Sequence, residues 1–199
     1  MSAAAGTMSD MDSSSKKDLS LQRGGNPAGG SQPLLSVDVA ELVRGAQQGD
    51  VLAMSQLLDA LAPYVGRICG AIALEAGEDA AQETLISVFR RLRSLREPDA
   101  LFGWVRTIAV REALRVARPP AHALPLGDVL DGGRGDPEVA GDVRRVLERL
   151  PPDQRAILVL RDLHGLEEVE AARVLGVARG TVKSRLHRAR AVFRREWNT

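Results

Sequence analysis

Gly176-Val177-Ala178-Arg179-Gly180-Thr181-Val182-Lys183-Ser184-Arg185-Leu186-His187-Arg188-Ala189-Arg190 is the stretch on which the reading of this chain turns. At the helical period Val182, Leu186, Ala189 and then Phe193 fall on a narrow apolar stripe, which predicts a helix from about Arg179 to Trp197. The opposite side carries Gly180, Ser184, His187 and Arg188, flanked by Thr181, Lys183 and Arg185, with Arg179 at the start. From Arg179 to Arg195 there are seven Lys or Arg and no Asp or Glu. Just before it, Glu167 to Leu175 predicts a short helix, and Gly176 suits a C-terminal cap at positive φ. Short helix, tight turn and basic helix are the outline of a helix-turn-helix. A helix fits the major groove, where Arg, Ser, Thr and His reach base edges or phosphates, and Gly180 would let the backbone come close to DNA. A basic amphipathic helix alone is as well read as a solvated surface; the preceding turn favours DNA. His187 alone is a weak signal. Ala178 takes the N-cap, where Ser or Thr would add about 1 kcal/mol.

Upstream of this motif, Glu138 to Leu150 and Pro152 to Leu163 predict two more helices. Pro119 to Pro137 holds four Pro and four Gly with little periodicity, a linker composition. Earlier still, Val39, Leu42, Val43 and Ala46 recur at helical spacing until Gly49-Asp50 interrupts them. Val51 to about Leu74 predicts a second helix on Leu57, Leu58, Leu61, Val65, Ile68 and Ile72, which Pro63 is expected to bend or split. Gly77-Glu78-Asp79 opens a third, with Leu85, Val88, Phe89 and Leu92 as its apolar stripe. A fourth runs from about Ala100 to Ala117 on Leu101, Trp104, Val105, Ile108 and Leu114.

The expected fold is therefore all-α: a disordered tail over residues 1–36, a helical domain over 37–118, a flexible linker over 119–137 and a second small helical domain over 138–199. The first 35 residues are rich in Ser and Gly without apolar periodicity, and cannot offset the entropy of ordering. Composition agrees: 44% of residues are hydrophobic but only 3% aromatic, with Leu, Val, Ala, Arg and Glu prominent. A single cysteine, Cys69, excludes an intrachain disulfide or a multi-cysteine metal site, and its apolar neighbours place it in the core. No secretory signal and no run of about 18 apolar residues is evident, so no membrane insertion and a cytoplasmic location are expected. His122, His164 and His187 are scattered, and no phosphate-binding glycine loop appears, so neither catalytic residues, metal nor cofactor is expected.

The flanking residues narrow the choice among helix-turn-helix proteins. Leu150-Pro151-Pro152-Asp153-Gln154-Arg155, Leu158-Val159-Leu160-Arg161, Gly165-Leu166 and the string from Gly180 to Arg190 resemble the fourth conserved region of sigma factors. The last string is similar to that of the extracytoplasmic-function group. Glu78-Asp79-Ala80-Ala81-Gln82-Glu83-Thr84 resembles the polymerase-binding helix of that group, and Phe102-Gly103-Trp104-Val105 through Ile108-Ala109 the helix after it. The resemblance spans nearly all of residues 38–196. This chain departs from the family at Arg111, where Asn is usual, at Arg115, often Asp, at Val169, commonly acidic, and at Glu167, commonly a capping Ser.

The resemblance implies that this is a sigma factor, not an enzyme: a subunit that binds core RNA polymerase and directs promoter-specific initiation. It implies a region 2-like domain that docks on the β′ coiled coil through Asp79, Gln82, Glu83 and Arg90, where acceptors can meet an Arg-rich partner. Arg96, Arg106, Arg111, Arg115 and Arg118 would hold the minus-ten element; from Arg90 to Arg118 there are eight Arg against three acids. The loop Ser94 to Leu101 corresponds to the element that captures a flipped base. It has no aromatic to stack on bases, so modest melting and dependence on a well-matched promoter are expected. Trp104 is read as core rather than as a stacking platform. The region 4-like domain would read the minus-thirty-five element through Arg179, Gly180, Thr181, Lys183, Ser184, Arg185, His187 and Arg188 while touching the β flap. Family members are often held inactive by an anti-sigma factor. The main rival is a helix-turn-helix regulator whose first domain senses a ligand or dimerises; the Glu78–Thr84 string and the Arg-rich fourth helix argue against it.

Overall fold

Asp38 and Asp50 set the first two helices. Each carboxylate accepts two backbone N–H bonds from the turn that follows it, at 2.8–3.3 Å. Helix α1 (Val39–Gln48) ends at Gly49, φ 98°, and α2 (Val51–Ala73) begins at once. The computed structural model describes residues 38–117 and 137–198; the tail, most of the linker and Arg118 lie outside them. In chain order follow α3 (Gly77–Arg91), α4 (Leu101–Ala117), α5 (Pro137–Glu148), α6 (Pro152–Leu158), α7 (Glu168–Leu175) and α8 (Arg179–Trp197). A π-helical turn, Val159–Leu163, prolongs α6. The described residues hold no strand, and the fold is all-α. Pro137, read as the end of the linker, is instead the first residue of α5, a position where its missing N–H costs nothing.

Helix α2 is the spine of the first unit, packing on α1, α3 and α4. Pro63 neither splits it nor ends it. Its ring faces solvent, while Leu57, Leu61, Val65 and Ile68 on both sides of it are buried, so packing holds both halves in the core. By length and composition the segment beginning at Val51 is apolar enough to cross a membrane, although no uninterrupted apolar run marks it in the sequence. Here its buried side chains form the centre of a bundle. Cys69 is buried among them, with Sγ 3.8 Å from Thr84 Oγ1 and from the Ala109 carbonyl, and burial pushes its thiol up to about 11.

The corner between α2 and α3 is tight. Leu74 adopts φ 55°, unusual for a side chain of its size. At Gly77 an added Cβ would lie 2.7 Å from Gly70 Cα and 3.0 Å from Gly70 N. Backbone meets backbone there, so nothing can move aside. Gly66, on the same helix, has no atom within 4 Å of such a Cβ.

In the second unit α6 and α7 pack on α8, and α5 packs on it too. The two units also meet: α6 lies against α2 and α4, and α7 against α4. At this seam Arg155, 6% exposed, donates Nε–H to the Ile72 carbonyl at 2.7 Å and Nη1–H to the Leu150 carbonyl at 2.9 Å. Tyr64 lies edge-on to His164, centroids 5.6 Å apart, and to Phe102 at 5.4 Å. Burial, then Arg106 and Arg67, lower the His164 pKa from its ordinary 6.5 to about 4, so the packed ring is neutral.

Two predictions follow from this packing. Gly77→Ala should destabilise the chain by about 1–3 kcal/mol, whereas Gly66→Ala should gain about 0.5–1 kcal/mol; urea titration of both variants checks the opposite signs. Proton uptake by a separated His164 should favour parting of the units as pH falls from about 6.5 toward 4, the seam being undisturbed above that range. Fluorescence transfer between labels on the two units should report this opening, and His164→Phe should abolish it; an opening unchanged in the variant would exclude His164 as its cause.

Candidate nucleic-acid interface

Helix α8 is placed by what it buries. Val182 and Ala189 are fully enclosed and Leu186 nearly so, as the periodicity required; Phe193 is half-buried and stacks on Trp197 at 5.8 Å. Ala178 is the N-cap and accepts no bond through its side chain. The turn before α8 has the expected form, with Gly176 at φ 65° and its N–H on the Ala172 and Arg173 carbonyls. At the start of α7 the Glu170 carboxylate accepts from the Glu167 amide at 3.1 Å, the bond that the N3 acid of a capping box makes back to the N-cap.

The outward face of α8 divides into an open centre and tethered flanks. Gly180, Lys183, Ser184, His187 and Arg188 line one shallow concavity, and all five are exposed. A Cβ on Gly180 would touch nothing, so nothing inside the protein requires a glycine there. Its absence leaves room for whatever approaches from outside. The Arg188 Nε–H donates to the Ser184 carbonyl at 3.3 Å, one turn back along the same helix. To the sides, Arg179 pairs with Glu168 at 3.0 Å, Arg185 with Asp153 at 3.4 Å, and Arg190 with Asp162 at Nε–Oδ2 3.1 Å. Thr181 and Arg185 are half-buried. These pairs hold the long flanking side chains and leave Lys183, His187 and Arg188 without an ion-pair partner among the described residues.

In the first unit Asp79, Gln82, Glu83 and Arg90 are exposed and share one side of α3. Phe89 joins them. Read from the sequence as core, it is 56% exposed, and Ala80 and Thr84 take the buried positions instead. The signal was present: Phe89 lies seven residues beyond Gln82, and so above it on the helix.

The described cations expected at the minus-ten element are not equally open. Arg96 is exposed on the loop before α4, and Arg111 and Arg115 are exposed on α4, with Arg115 bonded to Glu112 at 2.7 Å. Arg106 faces the seam instead: it is half-buried, its Nε is enclosed without a bonding partner, and it lies near Tyr64 and His164. Trp104 is half-buried against the core. Among the described residues no three His, Cys, Asp or Glu side chains come together to hold a metal ion.

The chain is similar to known proteins along most of its length. A family model described as sigma-70, region 4 matches residues 140–192, which contain the helix-turn-helix. The ECF RNA polymerase sigma factor SigM of Mycobacterium tuberculosis is 39% identical over 163 residues, spanning 76% of this chain and 81% of that one. The RNA polymerase sigma-H factor of Pseudomonas aeruginosa is 30% identical over 174 residues, spanning 75% and 89%. Among solved structures, the sigma factor RpoE in complex with the anti-sigma factor NepR from Bartonella quintana matches with TM-score 0.59 at 23% identity, over 75% of this chain and 99% of that one. CnrH in complex with the cytosolic domain of CnrY matches with TM-score 0.55 at 22% identity, over 78% and 94%. The two solved structures share the fold; the identity to SigM, carried through both helical units, goes further, and by it the chain belongs to the ECF RNA polymerase sigma factors.

Proposed function

We propose that the chain binds core RNA polymerase through the outer side of α3, reads the minus-thirty-five element with α8 and holds the minus-ten element with α4 and the loop before it. The observation that carries this reading is the open centre of α8, where Gly180, Lys183, Ser184, His187 and Arg188 stand exposed between tethered flanks. Lys183 and Arg188 supply phosphate neutralisation, and Arg188, Ser184 and His187 have the donors and acceptors that base edges require. On α3, Asp79, Gln82 and Glu83 offer acceptors beside an exposed Phe89, a mixed charged and apolar surface suited to an Arg-bearing coiled coil such as that of the β′ subunit.

Each promoter contact is modest alone. Binding both units to one polymerase, with the second also touching the β flap, raises the effective concentration of each for its own element. The chain is then an initiation factor rather than an enzyme, acting in the cytoplasm where promoter DNA lies. That RpoE of Bartonella quintana is described in complex with the anti-sigma factor NepR supports an anti-sigma partner for this chain too. A regulator acting without polymerase would have no use for the α3 surface.

Two substitutions separate the roles. Arg188→Ala should weaken binding of the holoenzyme to the upstream element by about 1–3 kcal/mol and leave core affinity unchanged. Glu83→Lys should weaken core binding about tenfold or more while sparing DNA contacts by α8. Titration of each variant with core polymerase, then of the reconstituted holoenzyme with labelled promoter, measures both. Unaltered core affinity of Glu83→Lys would remove α3 from the docking surface.

A further inference from the structure

The loop before α4 has to present Arg96 and its neighbours in one geometry, and little of its own sequence does so. Helix α3 ends at Arg91 and passes into a 3-10 turn, Leu92–Ser94, capped by Leu95, and the carbonyls at its two ends have capacity for further donors. Gln47, in the last turn of α1, donates to both of these. Its side-chain amide nitrogen lies 2.9 Å from the Leu92 carbonyl oxygen and 2.7 Å from that of Leu95, 45 and 48 residues away in sequence. Both partners are acceptors, so the NH₂ end of the amide must face them and uses both its hydrogens. Leu95 itself is buried, anchoring the turn from the other side, and its own N–H returns to the Leu92 carbonyl at 3.0 Å. Beyond this root Arg96 and Glu97 are exposed. The far end is closed by a second 3-10 turn, Pro98–Ala100, in which the Ala100 N–H bonds to the Glu97 carbonyl. Helix α1 packs on both turns.

Helix α1 is thus tied to both ends of a loop of a few exposed residues, and the tie at its root is a two-hydrogen clamp in a half-buried site. We infer that Gln47 is a positioning residue for promoter melting: it fixes the direction in which the Arg96–Asp99 loop leaves α3, so that the loop meets the minus-ten strand already in place. This rests on the reading of that loop as the minus-ten element. Lacking an aromatic to grip a base, the loop depends more on being held in advance, because a loop ordered only on contact spends part of its binding free energy on ordering.

Gln47→Glu tests this with almost no change in shape. It removes both N–H donors and sets a carboxylate against two carbonyl oxygens, whereas Gln47→Lys restores donors on a chain of sufficient reach. Hydrogen exchange at the Leu95 and Ala100 amides of the free protein, which bond to the Leu92 and Glu97 carbonyls, should quicken about tenfold in Gln47→Glu and return toward wild type in Gln47→Lys. With core polymerase, run-off transcription from a duplex promoter should fall about tenfold in Gln47→Glu, while transcription from the same promoter with a pre-melted minus-ten segment, and affinity for core, should change less than twofold. Unchanged exchange would overturn the clamp. Equal loss on both templates would overturn its role in melting and leave Gln47 a part of general stability. If the wild-type chain gave promoter-dependent transcripts from neither template, the minus-ten reading of the loop would fall, while the exchange result would still decide whether Gln47 holds it.

Discussion

Arg155 sits at the junction of the two helical units with its guanidinium turned away from solvent, and the groups it meets are backbone carbonyls. Ile72, at the end of α2, and Leu150, just past α5, accept from it at 2.7 and 2.9 Å, with Leu147 at 3.4 Å. These are the ends of helices, where carbonyls lack partners and the helix dipole is negative, so a cation there serves two units at once. Burial lowers its pKa, opposed by Glu148, yet arginine stays charged. Without such acceptors a buried charge would be too costly to keep. The seam follows from this constraint: with α6 held against α2, α7 meets α4, and His164 comes to rest against Tyr64 between Arg67 and Arg106.

That seam bears on function because of what it covers. Arg106 is turned into it, with its Nε enclosed, whereas Arg96, Arg111 and Arg115 stay outside. The α8 concavity and the outer side of α3 are on open surfaces. The packed arrangement therefore leaves the proposed upstream reader and polymerase surface available while withholding one cation of the minus-ten set. Ion pairs act on α8 itself, tying Arg179, Arg185 and Arg190 to acids of α6, its π-helical turn and α7 and leaving the middle of the helix open.

What could be read in the sequence was whatever repeats at short range. The stripe Val182, Leu186, Ala189 predicted both the existence and the facing of α8, and Gly176 its preceding turn, because period and cap chemistry are local. Val51 to Leu74 was legible as a helix, but the effect of Pro63 was not, since the helix runs on past it with buried residues on both sides. Phe89 was misread because a large apolar side chain was assumed to be core; its place above Gln82 argued otherwise. Arg155, Gln47, and the pair Tyr64 and His164 left no pattern at all. Each acts through a contact between residues 45 or more positions apart, to a backbone carbonyl or a ring, and such contacts exist only once the helices have packed. Arg106 was placed on the right helix, yet nothing local indicated that a second unit would lie over it.

The account stands on one claim, that this chain confers promoter selection on a polymerase. Run-off transcription with purified core polymerase, the chain and a library of promoter fragments from its own genome tests it most directly. The account predicts specific transcripts that appear only when the chain is added, from fragments sharing an upstream and a start-proximal element. Absence of transcripts, with the chain alone retaining particular fragments, would contradict it and leave a DNA-binding regulator that works without polymerase.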